Sequence, residues 1–233
     1  MIEQTLADIK SLENPEKAKV LQGFFKTKKG EYAEGDIFLG ITVPQSRVIA
    51  KKYNELKIEQ IQTLLSSKIH EHRLIALFIL IEKYKKAKTN EGQRKQIADF
   101  YLTNTKNINN WDLVDTSAHY VLGNYTFDKD KKIIYELAKS TNIWERRIAI
   151  ISTLYFIRQN KFEDTIKIAE ILLNDKHDLI QKAVGWMLRE VGKKNQGLEE
   201  EFLNKYSKKM PRTMLRYAIE KFSDDKKAFY MRK

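Results

Sequence analysis

The stretch NIWERRIAI, residues 142–150, starts a helix-like segment that recurs in similar form along the chain. Related stretches start at residues 70, 109, 178 and 211. Aligned on one small residue each, they follow one another at intervals of 40, 33, 34 and 35 residues, and each interval holds a second helix-like segment. Two helices per repeat at this period are typical of an α-solenoid built from HEAT-like repeats. The aligned small residues are Ala76, Thr116, Ala149, Ala183 and Ala218.

The rest of the chain is also helix-like, because its three prolines and nine glycines punctuate helical segments rather than strands. The segment that starts at Pro15 is predicted to be a helix to about Lys28. The one irregular stretch follows at about residues 29–42, and we predict a long connection that lays Phe38 and Leu39 onto the first helices. We therefore predict an all-α fold and a single domain over residues 1–233, with its clearest repeats from about 70 to 222. In this α-solenoid of HEAT-like helical repeats, the stack curves and its concave face forms a basic groove.

The net charge of the chain points to a polyanionic partner. The 233 residues carry 43 Lys and Arg against 31 Asp and Glu, a formal net charge of +12. The surplus is concentrated in residues 205–233, which contain ten basic and three acidic side chains. A charge of this size attracts polyanions at long range, so nucleic acid is a candidate partner. A basic segment is also common as a solubilising surface, and composition alone leaves both interpretations open.

Several classes of function are excluded by what the sequence lacks. The absence of cysteine excludes disulfides, a thiolate nucleophile and cysteine-ligated metals. The histidines lack ligand spacing: His70 and His72 point to opposite sides of a helix, and His119 and His177 have no suitably spaced partner. We interpret them as capping or surface residues, and we predict no metal and no cofactor. The first residues lack a signal-peptide core and the longest apolar run, residues 74–81, is too short for a bilayer, so we expect a cytoplasmic protein without a membrane partner.

An aromatic residue and a carboxylate stand one helical turn apart in the stretch NNWDLVD, residues 109–115. Trp111 and Asp115 project from the same side of a helix, on the flank of an apolar stripe that runs from Val114 to Tyr125. They are thus placed to face a groove rather than the core. The alternative is that an asparagine caps this helix, Trp111 wedges against a neighbour and Asp115 is solvated or bonded to an arginine.

A second tryptophan lies outside the apolar stripe of its helix. Trp186 projects more than about 100° away from the stripe that includes Val184 and Val191, beside three basic residues. A tryptophan on a basic face is uncommon, although it could also pack against the preceding repeat. The basic residues are Lys182, Arg189 and Lys193.

Two adjacent arginines, Arg146 and Arg147, stand at the start of a helix that is apolar almost all round. A buried arginine there requires a carboxylate or a phosphate as its partner. Asp115 would serve for the first arrangement, and a nucleic acid would supply the second. The residues alone leave both arrangements open.

Four separated stretches together resemble the AlkD family of bacterial DNA alkylation repair glycosylases. They are residues 109–115, 144–147, 185–190 and 210–213, and residues 24–27, 35–40 and 70–74 resemble the same family. The resemblance covers nearly the whole chain. It implies a HEAT-like solenoid whose concave basic face holds duplex DNA. It also implies an enzyme that cuts the N-glycosidic bond of N3- or N7-alkylated purines, such as 3-methyladenine and 7-methylguanine.

The resemblance assigns roles to individual residues. Asp115, Trp111 and Trp186 match the catalytic cluster of the family, and Arg147 matches its phosphate-binding arginine, with Arg146 as the alternative. A purine alkylated at N3 or N7 is already cationic and leaves as a neutral base, whereas the sugar becomes oxocarbenium-like. A carboxylate such as Asp115 can stabilise that charge and orient the attacking water.

Further residues are expected to contact the DNA. The family has an aromatic near the end of its second helix that touches DNA, and Phe25 or its neighbour Phe24 occupies that region without a hydroxyl group. The family leaves the lesion stacked, so the resemblance implies catalysis without base flipping. No lysine stands out as a Schiff-base nucleophile, so we predict a monofunctional enzyme that leaves an abasic site. We also expect a monomer, because monomeric action suits a groove that wraps a duplex. Basic residues expected on the DNA-binding face are Lys182, Arg189, Lys193, Arg212 and Arg216. The alternatives are a non-catalytic protein that binds DNA structure and a protein-binding scaffold, for which the fold alone would be adequate.

Overall fold

A computed structural model of the chain describes residues 1–232, which form helices joined by short loops. The β pairing within these residues consists of one isolated bridge, between Ile37 and Ile69. The prediction of an all-α protein is therefore confirmed. The helices are α1 (Ile2–Lys10), α2 (Pro15–Phe24), α3 (Val43–Lys52), α4 (Ile58–Leu65), α5 (His70–Lys86), α6 (Glu91–Thr103), α7 (Trp111–Ala118), α8 (Asn124–Thr126), α9 (Lys132–Ala138), α10 (Ile143–Arg158), α11 (Glu163–Ile171), α12 (Asp178–Gly192), α13 (Gln196–Tyr206), α14 (Arg212–Ala218) and α15 (Asp224–Met231).

Side chains at the helix starts explain why several helices begin where they do. The Asn14 side chain accepts a hydrogen bond from the backbone N–H of Lys17, at 3.0 Å, and caps α2. The sequence pattern predicts that this helix continues to about Lys28, which is wrong. It ends at Phe24 because Lys26 adopts a left-handed backbone conformation, φ 53°, that an α-helix cannot continue.

The chain divides into two compact units, Met1–Leu113 and Val114–Lys233, and the boundary falls inside α7. In the first unit, the long helix α5 packs against α3, α4 and α6. It is apolar through its middle, where Ile75, Leu77 and Ile79 are fully buried. Burial of such a helix against three neighbours removes most of its apolar surface from water, which is the main source of stability for this unit.

The irregular stretch between α2 and α3 is fastened to the start of α5. The Glu71 carboxylate accepts hydrogen bonds from the backbone N–H groups of Leu39, Gly40 and Ile41, at 3.0, 2.8 and 3.2 Å. Gly40 has φ +82°, and a Cβ there would lie 2.2 Å from the carbonyl oxygen of Asn14, so only glycine fits. The connection thereby buries Phe38 and Leu39 against the first helices, as the sequence predicts.

In the second unit, the long helices follow one another at the repeat period. Helix α10 packs against α9, α11 and α12, and α12 packs in turn against α11, α13 and α14. Three of the aligned small residues, Ala149, Ala183 and Ala218, are buried at these contacts, whereas Thr116 is half-buried. The small side chains allow the helices to approach closely, which is the packing that the repeat predicts.

A π-helical turn, His119–Gly123, follows α7 directly. The additional residue in such a turn rotates the residues that follow it relative to a regular helix. Tyr125, predicted to lie on the apolar stripe of α7, is therefore half-exposed, while Val114 and Val121 are buried as predicted.

The interpretation of His119 as a capping or surface residue is wrong, because it is 5% exposed. Burial and the charge of Arg158 lower its pKa to about 4.

Crossing a bilayer demands a long, apolar helix, and none of the helices within residues 1–232 meets that demand.

Candidate active site

Asp115 and Arg147, two of the residues selected from the sequence, form a bidentate ion pair. The Nε of Arg147 donates to Oδ1 of Asp115 at 2.8 Å, and Nη2 donates to Oδ2 at 2.7 Å. The Arg147 side chain is 6% exposed and that of Asp115 is 16% exposed. The sequence left two partners open for a buried arginine, a carboxylate or a phosphate. The structure shows the pairing with the Asp115 carboxylate. Two parallel charge-assisted bonds fix the carboxylate in position and orientation.

Arg147 also connects α7 to two other helices of the second unit. From α10, its Nη1 donates to the carbonyl oxygen of Leu179 in the first turn of α12. Its neighbour Arg146 has other partners: Nε donates to Asp175 Oδ2 at 2.7 Å, and Nη1 donates to the carbonyl oxygens of Ser140 and Thr141. Arg147, rather than Arg146, therefore shares a site with Asp115.

Trp186 lies on α12 with its ring half-exposed. Its indole N–H donates to Glu190 Oε1 at 3.1 Å, one turn further along the helix. Glu190 was not selected from the sequence, although its spacing of four residues from Trp186 was a usable signal. The preceding residue, Gly185, lies against α14, and a Cβ there would be 2.4 Å from the carbonyl oxygen of Met214. This close approach sets the position of the Trp186 backbone.

Trp111 stacks on aromatic residues of the first unit. The ring centroid of Phe25 lies 5.3 Å from that of Trp111 with an interplanar angle of 13°, and Phe25 also stacks on Phe38, with their ring centroids 4.9 Å apart. Phe25 is 7% exposed, so little of the ring selected for DNA contact reaches solvent. Phe24 is 61% exposed and lies edge-on to Trp111 at 6.1 Å. Phe24, rather than Phe25, is the phenylalanine of this pair available to a ligand.

The repeat places Trp144 at the position equivalent to Trp111. Trp144 is 7% exposed and belongs to the core, whereas Trp111 is half-exposed. The same repeat position thus carries a packing residue in one repeat and an accessible ring in another.

His70, interpreted from the sequence as a cap or surface residue, is instead buried between two carboxylates, so that interpretation is wrong. Its Nε2 lies 2.8 Å from Asp112 Oδ2 and its Nδ1 lies 3.3 Å from Asp36 Oδ2. Burial alone would lower the pKa of His70, but the carboxylates of Asp112 and Asp36 outweigh it and raise the pKa to about 9. At neutral pH the imidazole is therefore protonated. By contrast, His177 caps α12 by accepting a hydrogen bond from the N–H of Leu179, as the capping interpretation predicts.

An apolar cavity of about 450 Å³ opens beside Phe24, Phe25 and Phe38 in the first unit. Val20, Phe24 and Val43 form its rim and are 69%, 61% and 44% exposed. Phe38 and Leu74 line its interior. An exposed apolar rim of this kind is a feature of ligand-contacting surfaces.

Most of the basic residues selected for DNA contact have partners within the protein. Lys182 pairs with Asp178 at 2.9 Å and Lys193 with Glu190 at 2.6 Å, and Arg189 is bonded to Glu220. Arg212 donates to the carbonyl oxygen of Met231 at 3.0 Å, and Arg216 is exposed. The ion pairs on the surface are weak and can exchange for phosphate contacts.

Across residues 1–232 there is no group of three or more histidine, aspartate or glutamate side chains arranged to hold a metal ion.

The fold and the site together define an all-α protein of helical repeats, and the solved structures of similar fold include the following three. A predicted DNA alkylation repair enzyme from Enterococcus faecalis has a TM-score of 0.68 at 17% identity, covering 91% of this chain and 97% of that one. AlkD2 from Streptococcus mutans has a TM-score of 0.58 at 19% identity, with 90% and 99% covered. The protein smu.31 from Streptococcus mutans has a TM-score of 0.55 at 22% identity, with 78% and 93% covered. At these identities the likeness shows a shared fold.

The family follows from the sequence itself. The model of the DNA alkylation repair enzyme family matches residues 5–222, and the chain belongs to this family. The resemblance noted in the sequence is thereby confirmed. No curated protein matches the sequence.

Proposed function

We propose that this chain is a monofunctional DNA glycosylase that removes cationic N3- and N7-alkylated purines from duplex DNA by hydrolysis of the N-glycosidic bond. The observation that carries the proposal is the bidentate pair of Asp115 and Arg147. The pair fixes the orientation of the Asp115 carboxylate, and the Asp115 side chain remains 16% exposed. Membership of the DNA alkylation repair enzyme family supports a role in the repair of alkylated DNA. The enzyme would act as a monomer in the bacterial cytoplasm, associated with the nucleoid when bound to DNA.

The proposed mechanism rests on charge. An N3- or N7-alkylated purine is a cation and leaves as a neutral base, so the barrier lies in the positive charge that the sugar gains. Asp115 stabilises that charge and orients the water that attacks the sugar. Trp186 and Trp111, each half-exposed in its own unit, pack against the sugar and add cation–π attraction of about 0.5–2 kcal/mol each.

Arg147 serves two functions in this proposal. Three of its N–H groups bind Asp115 and the Leu179 carbonyl oxygen, which keeps the carboxylate in place. A guanidinium carries five N–H groups, and the three bonds above leave two of them for another acceptor. A DNA phosphate can accept from these two without displacing Asp115. The exposed Phe24 and the basic residues Lys182, Arg189, Lys193, Arg212 and Arg216 would contact the DNA backbone.

The experiment is release of free base from duplex DNA that carries one N7-methylguanine, under single-turnover conditions. We expect the wild type to release 7-methylguanine well above the spontaneous rate, and Asp115→Asn to lose a factor on the order of 10²–10³ in rate. Asp128→Asn is the matched control, because Asp128 is an exposed aspartate outside the pair. A rate for Asp115→Asn equal to that of the control would remove Asp115 from the mechanism.

The same experiment separates the other two functions. A wild type that binds duplex DNA but releases neither 7-methylguanine nor 3-methyladenine is a DNA-binding relative of the repair enzymes. A protein-binding scaffold would bind DNA weakly and without the steep salt dependence that phosphate contacts produce.

A further inference from the structure

A chain of buried charges runs through the first unit from α5 to the start of α7. Arg73 Nη2 donates to Asp36 Oδ2 at 2.6 Å, and the same oxygen lies 3.3 Å from His70 Nδ1. The other ring nitrogen of His70 lies 2.8 Å from Asp112 Oδ2. Both nitrogens thus face carboxylate oxygens, an arrangement in which a protonated imidazole donates to both. The mechanism proposed above uses none of these four residues.

Two separate contacts link His70 to Trp111. Asp112, which His70 binds, is the next residue in the chain after Trp111, and its Oδ1 accepts from the backbone N–H of Leu113 at 2.9 Å. The imidazole also lies 5.0 Å from the ring of Phe25, which stacks on Trp111. His70 therefore touches both the first turn of α7 and the ring against which Trp111 packs.

The Trp111 ring itself needs such support. It is half-exposed, and the helix that carries it begins at this residue. Residues in the first turn of a helix have fewer backbone constraints than those in the middle. The backbone N–H of Trp111 donates to Asn110 Oδ1 at 2.8 Å, and the stack on Phe25 and the bond from His70 to Asp112 add constraints on the ring and on the first turn.

We propose that His70 is a positioning residue, which uses Asp112 and Phe25 to fix the first turn of α7 and the orientation of the Trp111 ring. The role of Trp111 in base release rests on the proposed function, whereas the positioning does not. The charged groups that act on His70 are Asp36 from the connection before α3, Asp112 from α7 and Arg73 from α5. Loss of the proton from His70 would leave one carboxylate contact without a donor, and the ring of Trp111 would shift.

The first test observes Trp111 directly. The chain has three tryptophans, so labelling with 5-fluorotryptophan gives three ¹⁹F NMR signals, and Trp111→Phe assigns the one required. We expect the Trp111 signal to move with a midpoint near pH 9, the pKa of His70, and this movement to vanish in His70→Gln. His72→Gln is the matched control, because His72 is buried in the same helix but binds Ser67 rather than the carboxylates. A Trp111 signal that is the same in wild type and His70→Gln across this pH range overturns the proposal.

The second test concerns catalysis. In His70→Gln we expect kcat for 7-methylguanine release to fall about 10- to 100-fold while KM changes little, because a misplaced group affects the reaction more than binding. His72→Gln should keep the wild-type kcat. An unchanged kcat in His70→Gln would overturn the link from His70 to the reaction. If the wild type itself releases no base, the proposed function fails, and the ¹⁹F titration still decides whether His70 positions Trp111.

A variant that does not require removal of the buried histidine guards against misfolding. Asp112→Asn keeps the shape of the side chain and a hydrogen bond acceptor, but it removes the charge that faces His70. We expect the midpoint of the Trp111 signal to fall below pH 9 in this variant, because the imidazolium loses one of its two stabilising charges. An unaltered midpoint would contradict the proposal even if His70→Gln does not fold.

Discussion

The Arg147 guanidinium holds the Asp115 carboxylate through two parallel hydrogen bonds, Nε to Oδ1 at 2.8 Å and Nη2 to Oδ2 at 2.7 Å. The arginine comes from α10 and the carboxylate from α7, 32 residues earlier in the chain. Each partner loses hydration when the pair forms, and the bidentate geometry offsets that loss. The pair therefore links the stability of the second unit to the chemistry proposed for it.

A double-mutant cycle on this pair should show strong coupling. Asp115→Ala and Arg147→Ala should each lower the free energy of unfolding by about 3 kcal/mol, because each leaves the other charge poorly solvated. The loss of unfolding free energy in the double variant should be smaller than the sum of the two single losses, by about 1–3 kcal/mol. Urea denaturation measures all four proteins. A second cycle with Asp128→Ala and Arg147→Ala, which are not paired, should be additive, and additivity in the first cycle would contradict the pairing.

Gly185→Ala should destabilise the second unit at the contact between α12 and α14. The added Cβ would lie 2.4 Å from the Met214 carbonyl oxygen and 2.6 Å from Tyr217 Cβ, so backbone must move. We expect a loss of about 1–3 kcal/mol, measured as a lower Tm. Gly23→Ala is the control, because its Cβ would have nothing within 4 Å and it should be neutral or stabilising. Equal Tm values for Gly185→Ala and the wild type would show that α12 and α14 can move apart locally at little cost in stability.

Glu199 should make the stability of the protein depend on pH. It is 2% exposed, and burial together with the charge of Glu200 raises its pKa to about 8. Because the pKa is higher in the folded state than the ordinary value of 4.5, the stabilisation is complete below about pH 4.5 and is lost as the pH rises through 8.

Glu199→Gln removes this titration while keeping the shape of the side chain. Its free energy of unfolding should equal or fall below that of the wild type at pH 4.5, and should exceed it at pH 9 by as much as about 3–5 kcal/mol. Urea denaturation at both pH values provides the comparison. Glu201→Gln, an exposed neighbour, serves as the control and should follow the wild type. A constant difference between Glu199→Gln and the wild type would show that Glu199 does not titrate in this range.

Arg216 should contribute to DNA affinity through a phosphate contact. The residue is exposed on α14, among the basic side chains expected on the DNA-binding face. Arg216→Ala should weaken binding to undamaged duplex equally for different sequences, and reduce the slope of log K against log salt by about 0.9. Fluorescence anisotropy between low and moderate salt measures both quantities. Lys88→Ala, which removes an exposed charge outside this set, should keep the wild-type slope. An unchanged slope for Arg216→Ala would remove it from the interface.

The repeat and its helical periodicity predict the fold well, because both are local in the sequence. The same periodicity fails after Ala118, where the π turn shifts the phase and exposes part of Tyr125. Nothing in the pattern of apolar residues signals an added residue in a helix. Helix starts are also readable, because Asn14 and Asn142 cap their own helices.

The site is harder to predict, since its contacts join distant parts of the chain. Asp115 and Arg147 could be named from the sequence as possible partners, but no local rule distinguishes that pair from Asp115 with Arg146. Asp36, His70 and Asp112 come from three segments, and their association depends on how the connection before α3 folds onto α5. The exposure of Phe24 rather than Phe25 depends on the helix ending at Phe24, a boundary that the pattern places too late.

The equivalent tryptophans of two repeats have a consequence for how such a protein can acquire an activity. Trp144 is a core residue, whereas Trp111 occupies the same repeat position with its ring half-exposed. The same repeat position supplies a large aromatic to both units, and the surroundings of that position decide whether the ring is buried or open to solvent. Selection for a new ligand can then begin from a side chain that stability had already put in place, with no new residue required.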